Sequence, residues 1–150
     1  TACGETAPEL VIVGRRGWAD AATLARLDAH RRAPGPVREF NDLNDGAVAA
    51  LLAGAEALLF PTLAEGYGFP PHEALALGTP AVCSDLDVLR ETLGQRVVYA
   101  DPRDVVQWTE IVCGMHRNGG APDGPGRTAE TGCGQQTWRS HVQTVLSALG

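Results

Sequence analysis

The stretch Ala55-Glu56-Ala57-Leu58-Leu59-Phe60-Pro61-Thr62-Leu63-Ala64-Glu65-Gly66-Tyr67-Gly68-Phe69-Pro70-Pro71-His72-Glu73-Ala74-Leu75-Ala76-Leu77-Gly78-Thr79-Pro80-Ala81-Val82-Cys83-Ser84 decides the fold. It opens with a short apolar run, Ala57 to Phe60, which Pro61 ends; this is the length and composition of a buried strand. A polar, glycine-bearing loop follows. Pro71 to Leu77 then reads as a helix, with proline suited to its first turn and Gly78 to its carboxyl-terminal cap. A second apolar run, Ala81 to Ser84, closes the unit. Strand, loop, helix and strand in this order make a parallel pair joined by a right-handed crossover.

The pattern extends in both directions. Apolar, β-rich runs at Leu10 to Val13, Val37 to Phe40 and Val97 to Ala100 bring the expected strands to five. Helical spacing covers Asp20 to Arg31, Gly46 to Ala55 behind the capping residues Asn44 and Asp45, and Asp104 to Met115. Alternation of this kind predicts an α/β domain with a doubly wound, Rossmann-like parallel sheet and helices on both faces. The domain is expected over residues 1–116, followed by a Gly/Pro-rich loop or linker at 117–134 and a terminal helix at 135–150 that packs back. Trp18, Trp108 and Trp138 read as packing residues.

Composition narrows the function. The chain has 150 residues, 44% hydrophobic and 20% charged, enough for one domain with a sizeable core. A formal charge of -6 argues against a nucleic-acid partner, which demands a clustered basic excess. The apolar runs are too short to cross a bilayer, and no secretory signal opens the sequence, so a cytoplasmic location is expected. Cys3, Cys83, Cys113 and Cys133 lack metal-ligand spacing, and Cys83 reads as a small core residue. The first residue is Thr, which creates the expectation that sequence precedes it.

The chemistry concentrates between Glu65 and Glu73. Ligands of an open α/β sheet bind beyond the carboxyl ends of its strands, and this segment lies there. Gly66 and Gly68 allow close backbone approach, and the helix N-terminus suits a phosphate or a polar sugar. An ionised carboxylate offers two acceptor oxygens to neighbouring sugar hydroxyls. Local chemistry leaves two readings of the Glu65 and Glu73 pair: a sugar clamp, or a loop carboxylate plus a helix-dipole partner. A capping-box role for Glu73 fails if Pro70 is the N-cap, because proline has no N–H to donate. Arg15 and Arg16, after the first strand, are either phosphate contacts or solvated loop charges. No G-x-G-x-x-G fingerprint and no nucleophile–base pattern appear, and His72 reads as a helix-end residue.

The quoted stretch resembles the signature of the retaining GT-B glycosyltransferases called group 1, or family 4. Its E-x7-E motif falls at Glu65 and Glu73, embedded in F-P-S/T-x-x-E-G-Y/F-G-F/L-P-x-x-E-A-x-A-x-G-x-P. The likeness runs from about Glu9 to Val106. It implies the carboxyl-terminal, donor-binding half of a GT-B fold, with Glu65 as the catalytic residue at the transferred sugar. Gly66, Tyr67, Gly68 and Phe69 would present backbone amides to sugar and diphosphate, and Glu73 would hold the ribose. Asn41 and Leu43 would lie beside the base, and Arg15 is carried as a further donor contact. The implied donor is a nucleotide-diphosphate sugar of mannose or glucose type, with no metal and no other cofactor. Two family parts are unmatched: the first strand-helix unit, whose Arg and Lys hold the diphosphate, and the amino-terminal acceptor domain. The alternatives are a non-catalytic nucleotide-sugar-binding fragment and a GT-B-like epimerase or phosphorylase.

Overall fold

A computed structural model describes residues 8–17, 19–32 and 35–119. Ten elements alternate along it: β1 (Leu10–Val13), α1 (Ala21–Arg32), β2 (Val37–Phe40), α2 (Asp45–Gly54), β3 (Leu58–Phe60), α3 (Phe69–Ala76), β4 (Ala81–Ser84), α4 (Asp87–Leu93), β5 (Val98–Ala100) and α5 (Val105–Arg117). Every strand pairing is parallel. The α/β, Rossmann-like class read from the sequence is therefore the observed one.

Two details depart from the expectation. The strands form two sheets rather than one, ordered β1-β2 and β3-β4-β5. One helix, α4, was not anticipated, although Leu86, Leu89 and Leu93 carry an i, i+3, i+7 spacing that ends at Gly94. At seven residues it is too short to display a full amphipathic repeat, so its signal was easily lost beside the apolar runs of β4 and β5.

Burial is uneven. All buried residues among those described fall between Gly68 and Met115. The core cluster joins Ala81, Cys83, Leu89, Leu93 and Val97, with Leu58, Phe60, Leu75, Leu86, Val88 and Tyr99 packed against it. β4 is buried at all four positions, as a central parallel strand should be. β1 instead exposes Leu10, Val11 and Val13 by 42%, 36% and 42%. The amino-terminal pair of strands thus contributes no buried residue, although its sequence is as apolar as that of β4.

Capping follows the side-chain chemistry. The Asn44 side-chain oxygen accepts from the Ala47 N–H at 2.9 Å and starts α2. Asp20 accepts from the N–H groups of Ala22 and Thr23 and from the Thr23 hydroxyl, which holds its carboxyl below the usual range. Asp104 accepts from the Gln107 N–H and starts α5. Trp108 donates its indole N–H to the Asp101 carbonyl at 2.9 Å. Between α2 and the turn before β4, buried Thr79 donates its hydroxyl to the Leu52 carbonyl at 2.6 Å.

α5 reaches Arg117, one residue into the expected linker, and Asn118 caps it. The remainder of the 117–134 linker beyond Gly119, the 135–150 helix, and Trp18, Trp138, Cys3 and Cys133 lie outside the described residues. Among those that are described, no helix is long and apolar enough to cross a membrane.

Candidate functional site

The Glu65–Glu73 segment leaves the carboxyl end of β3 and enters α3, as the sequence implied, but the helix starts earlier than expected. Gly68 is the N-cap and Phe69 the first helical residue. Pro70 and Pro71 both fit in the first turn because the N–H groups they lack have no intrahelical acceptor there. Glu73 is consequently the fifth helical residue rather than the third. A capping box is excluded by position, and the argument based on Pro70 as N-cap gives way to this simpler one.

The same prolines thin the anion site. Of the first three helical positions only Phe69 carries an N–H, so the helix end offers fewer free donors than the sequence reading assumed. In the loop, the Gly66 N–H already donates to Glu65 Oε1 at 2.9 Å. A ligand that draws on the Gly66 amide would compete for it with the Glu65 carboxylate.

Gly68 is fixed by geometry. Its φ of +86° is left-handed, and a Cβ built there would lie 2.5 Å from Leu89 Cδ2, a side chain with 0% exposure. Gly66 differs: nothing lies within 4 Å of the corresponding Cβ position. The fold needs the glycine at 68 but not at 66. The open space at Gly66 is available to an incoming group.

Aromatic contacts hold the loop's shape. The Tyr67 and Phe69 rings stand 4.9 Å apart, and the Tyr67 ring stacks on His72 at 4.9 Å with planes 21° apart. His72 Nδ1 lies 2.9 Å from the Gly68 carbonyl, so the tautomer protonated at Nδ1 donates to it. His72, read from sequence as a helix-end residue, also braces the loop. The Thr92 hydroxyl, on α4, lies 3.3 Å from the Tyr67 carbonyl and 2.9 Å from that of Val88. The unanticipated helix is thus the floor of the site, through Leu89 under Gly68 and Thr92 under Tyr67.

Glu65 and Glu73 are both exposed. Among the described residues, no side-chain hydrogen bond or ion pair engages the Glu73 carboxylate, and Glu65 accepts only from its neighbour's amide. Both retain acceptor capacity for hydroxyl groups. Exposed Leu63 and Phe69, each 67% accessible, flank the pair.

The other sequence-derived contacts are on loops at the carboxyl ends of β1 and β2. Arg15 follows β1 and is exposed; Asn41 is exposed after β2, with half-buried Leu43 two residues on. No described hydrogen bond or ion pair joins Arg15, Asn41 or Leu43 to the Glu65–Glu73 segment. Arg16 is exposed in the loop after β1 and is ion-paired there. Its guanidinium grips Glu39 through Nε and Nη2, both at 2.6 Å, and Asp28 through Nη1 at 2.7 Å. These carboxylates raise its pKa further and leave it a structural cation rather than a phosphate contact.

Asp85, just past β4, pairs with Arg90, whose guanidinium lies 4.5 Å from the centroid of the Tyr99 ring. Arg90 holds the Asp85 carboxyl below its usual range. The Tyr99 hydroxyl lies 2.8 Å from the Gly94 carbonyl and 3.0 Å from that of Leu89, one of which accepts its proton, so this cluster locks α4 onto β5. Sequence reasoning missed it, because its members meet only through the crossover between β4 and β5.

Comparison with known proteins finds relatives among mannosyltransferases. The O-antigen chain mannosyltransferase B of Escherichia coli is 34% identical over 96 residues, covering 64% of this chain and 25% of that protein. The O-antigen chain mannosyltransferase RfbU of Salmonella typhimurium is 28% identical over 103 residues, 69% of this chain and 29% of its own length. The MMP alpha-(1->4)-mannosyltransferase of Mycolicibacterium hassiacum is 38% identical over 79 residues, 51% and 19% respectively. The chain therefore spans under a third of the length of these relatives. The family described as glycosyl transferases group 1 matches residues 3–118, which includes β1 through α5 and the whole Glu65–Glu73 loop. That match, over more than two thirds of the chain and across a parallel α/β scaffold, places this chain in the glycosyl transferases group 1 family.

Proposed function

We propose that this chain holds the donor in a retaining hexosyltransferase, with a nucleotide-diphosphate mannose or glucose as donor and mannose favoured by the names of its relatives. The observation that carries the reading is the pair of exposed carboxylates, Glu65 on the loop, where it accepts from the Gly66 N–H, and Glu73 on α3. Glu73 holds the ribose hydroxyls, and Glu65, released from the Gly66 N–H, meets hydroxyls of the transferred sugar. Asn41 and Leu43 flank the base in this reading, and Arg15 reaches toward the diphosphate.

In the transfer, the bond from the anomeric carbon to the diphosphate oxygen breaks with its electron pair on the diphosphate. The acceptor oxygen bonds to the anomeric carbon on the same face and gives up its proton to the departing phosphate oxygen. Positive charge builds on the sugar ring in between, and a nearby ionised carboxylate stabilises it. Negative charge on the leaving group is met by the Gly68 and Phe69 amides and by side-chain cations, with no metal assigned. Acceptor binding belongs to a further domain, so residues 1–150 alone bind donor without transferring it.

Glu65→Gln in the longer transferase tests the assignment. The substitution keeps shape and removes charge, so turnover falls by about 100-fold or more while donor affinity by calorimetry changes little. Normal transfer rates in that variant would refute the role given to Glu65. Glu73→Gln should do the reverse, weakening donor binding more than it slows the bound complex.

A further inference from the structure

One helix begins differently from the rest. In α1, α2, α4 and α5 the carbonyl just before the helix, that of Asp20, Asn44, Leu86 or Asp104, accepts from the N–H four residues on, that of Leu24, Val48, Arg90 or Trp108. This is the first main-chain bond of an ordinary helix. In α3 the corresponding carbonyl belongs to Gly68, and among the described residues no main-chain N–H meets it with full hydrogen-bond geometry. Its hydrogen bond comes from a side chain instead, the half-buried His72, whose Nδ1 lies 2.9 Å away. The His72 ring thus does what the His72 N–H would do in the other helices.

That bond orients the donors of the loop. No peptide bond among the described residues is cis, so each carbonyl points opposite to the N–H of the next residue. Holding the Gly68 carbonyl back toward α3 directs the Phe69 N–H outward past the helix end, and Phe69 carries the one N–H of the first three helical positions. Left-handed Gly68 followed by helical Phe69 sets two consecutive N–H groups side by side, an arrangement that favours an anion. Among the described residues no hydrogen bond engages either of these N–H groups. The same ring secures the residue before them by stacking on Tyr67 at 4.9 Å.

We propose that His72 is a positioning residue of the donor loop: its Nδ1–H replaces the first main-chain bond of α3 and so aims the Gly68 and Phe69 N–H groups at the diphosphate of the donor. The diphosphate rests on the donor reading; the aim rests on the geometry of α3. His72 acts through the Gly68 carbonyl and needs no contact with the donor. Because a carbonyl only accepts, the neutral ring carries its proton on Nδ1 and leaves Nε2 bare. Any side chain that brings an N–H to the Nδ1 position can then serve. Asparagine does so, its amide nitrogen being the same number of bonds from Cα, whereas phenylalanine keeps a ring to stack on Tyr67 and brings no donor.

Long-range proton–nitrogen correlation spectra of the longer transferase, with isotope-labelled histidine, read the tautomer without any ligand; the His72 signals are those lost in His72→Asn. A neutral His72 protonated on Nδ1 is expected, and the Nε2-protonated tautomer overturns the proposal. Calorimetry with the UDP, GDP and ADP esters of mannose reads the aim. For whichever ester the wild type binds, His72→Phe should weaken binding by about fivefold, the worth of one neutral hydrogen bond, while His72→Asn stays within about twofold of wild type. Unchanged affinity in His72→Phe overturns the proposal. So does an equal loss in both variants, which makes the bulk of the ring the cause rather than its N–H. If a variant does not fold, the wild-type tautomer decides. A wild type that binds none of the three esters overturns the donor reading and the diphosphate as target, whereas the tautomer still confirms or refutes the side-chain bond at the start of α3.

Discussion

Gly68→Ala should be the most damaging single-methyl change in the loop. Two separable effects act at this position. The left-handed φ of +86° costs a non-glycine residue about 1–2 kcal/mol. The new Cβ would lie 2.5 Å from Leu89 Cδ2 inside a filled core, and such overpacking costs about 1–3 kcal/mol. The sum is about 2–5 kcal/mol, read by urea unfolding of the wild type, Gly68→Ala, Leu89→Ala and the double variant. Leu89→Ala alone should cost about 2–5 kcal/mol through its cavity. In the double variant the clash has gone while the backbone term and the Leu89 cavity remain, so the pair should be less destabilising than the sum of the singles by about 1–3 kcal/mol. Gly66→Ala is the internal control, since its Cβ meets nothing within 4 Å, and should stay within about 0.5 kcal/mol of wild type. Strict additivity of the Gly68 and Leu89 variants would refute the clash, and a Gly68→Ala protein as stable as Gly66→Ala would refute the whole account.

Thr79→Val leaves the Leu52 carbonyl without the hydroxyl donor now 2.6 Å away, and should destabilise the chain by about 1–3 kcal/mol in the same denaturation assay. An unchanged midpoint would show that water replaces the lost bond. Burial pushes the free Cys83 thiol up to about 12 from an ordinary value near 9. The folded state therefore keeps a proton that the unfolded state releases, so this thiol's contribution to stability is full below about pH 9 and is lost as pH rises toward 12. At pH 8 a thiol-alkylating reagent should leave Cys83 unmodified by mass spectrometry until urea unfolds the chain; rapid labelling of the native protein would contradict the burial.

The sequence alone determined the order and type of most elements. Leu10–Val13, Val37–Phe40 and Ala81–Ser84 are strands at the positions their apolar runs marked. This worked because a parallel strand is a local run of apolar residues bounded by turn chemistry, and both are visible without knowing the neighbours. The Glu65–Glu73 segment was legible for the same reason: glycine, proline and paired carboxylates carry their conformational and chemical preferences with them. Tertiary structure alone decided what those residues touch. It moved the start of α3 to Phe69, because tolerance of two successive prolines depends on which N–H groups find acceptors. It gave the loop a floor in Leu89 and Thr92, residues more than twenty positions away, and bound Arg16 to Glu39 across a strand pairing. It also divided the described strands into the sheets β1-β2 and β3-β4-β5, a matter of strand order, which depends on how separated segments pair and so is encoded in no single stretch of the chain.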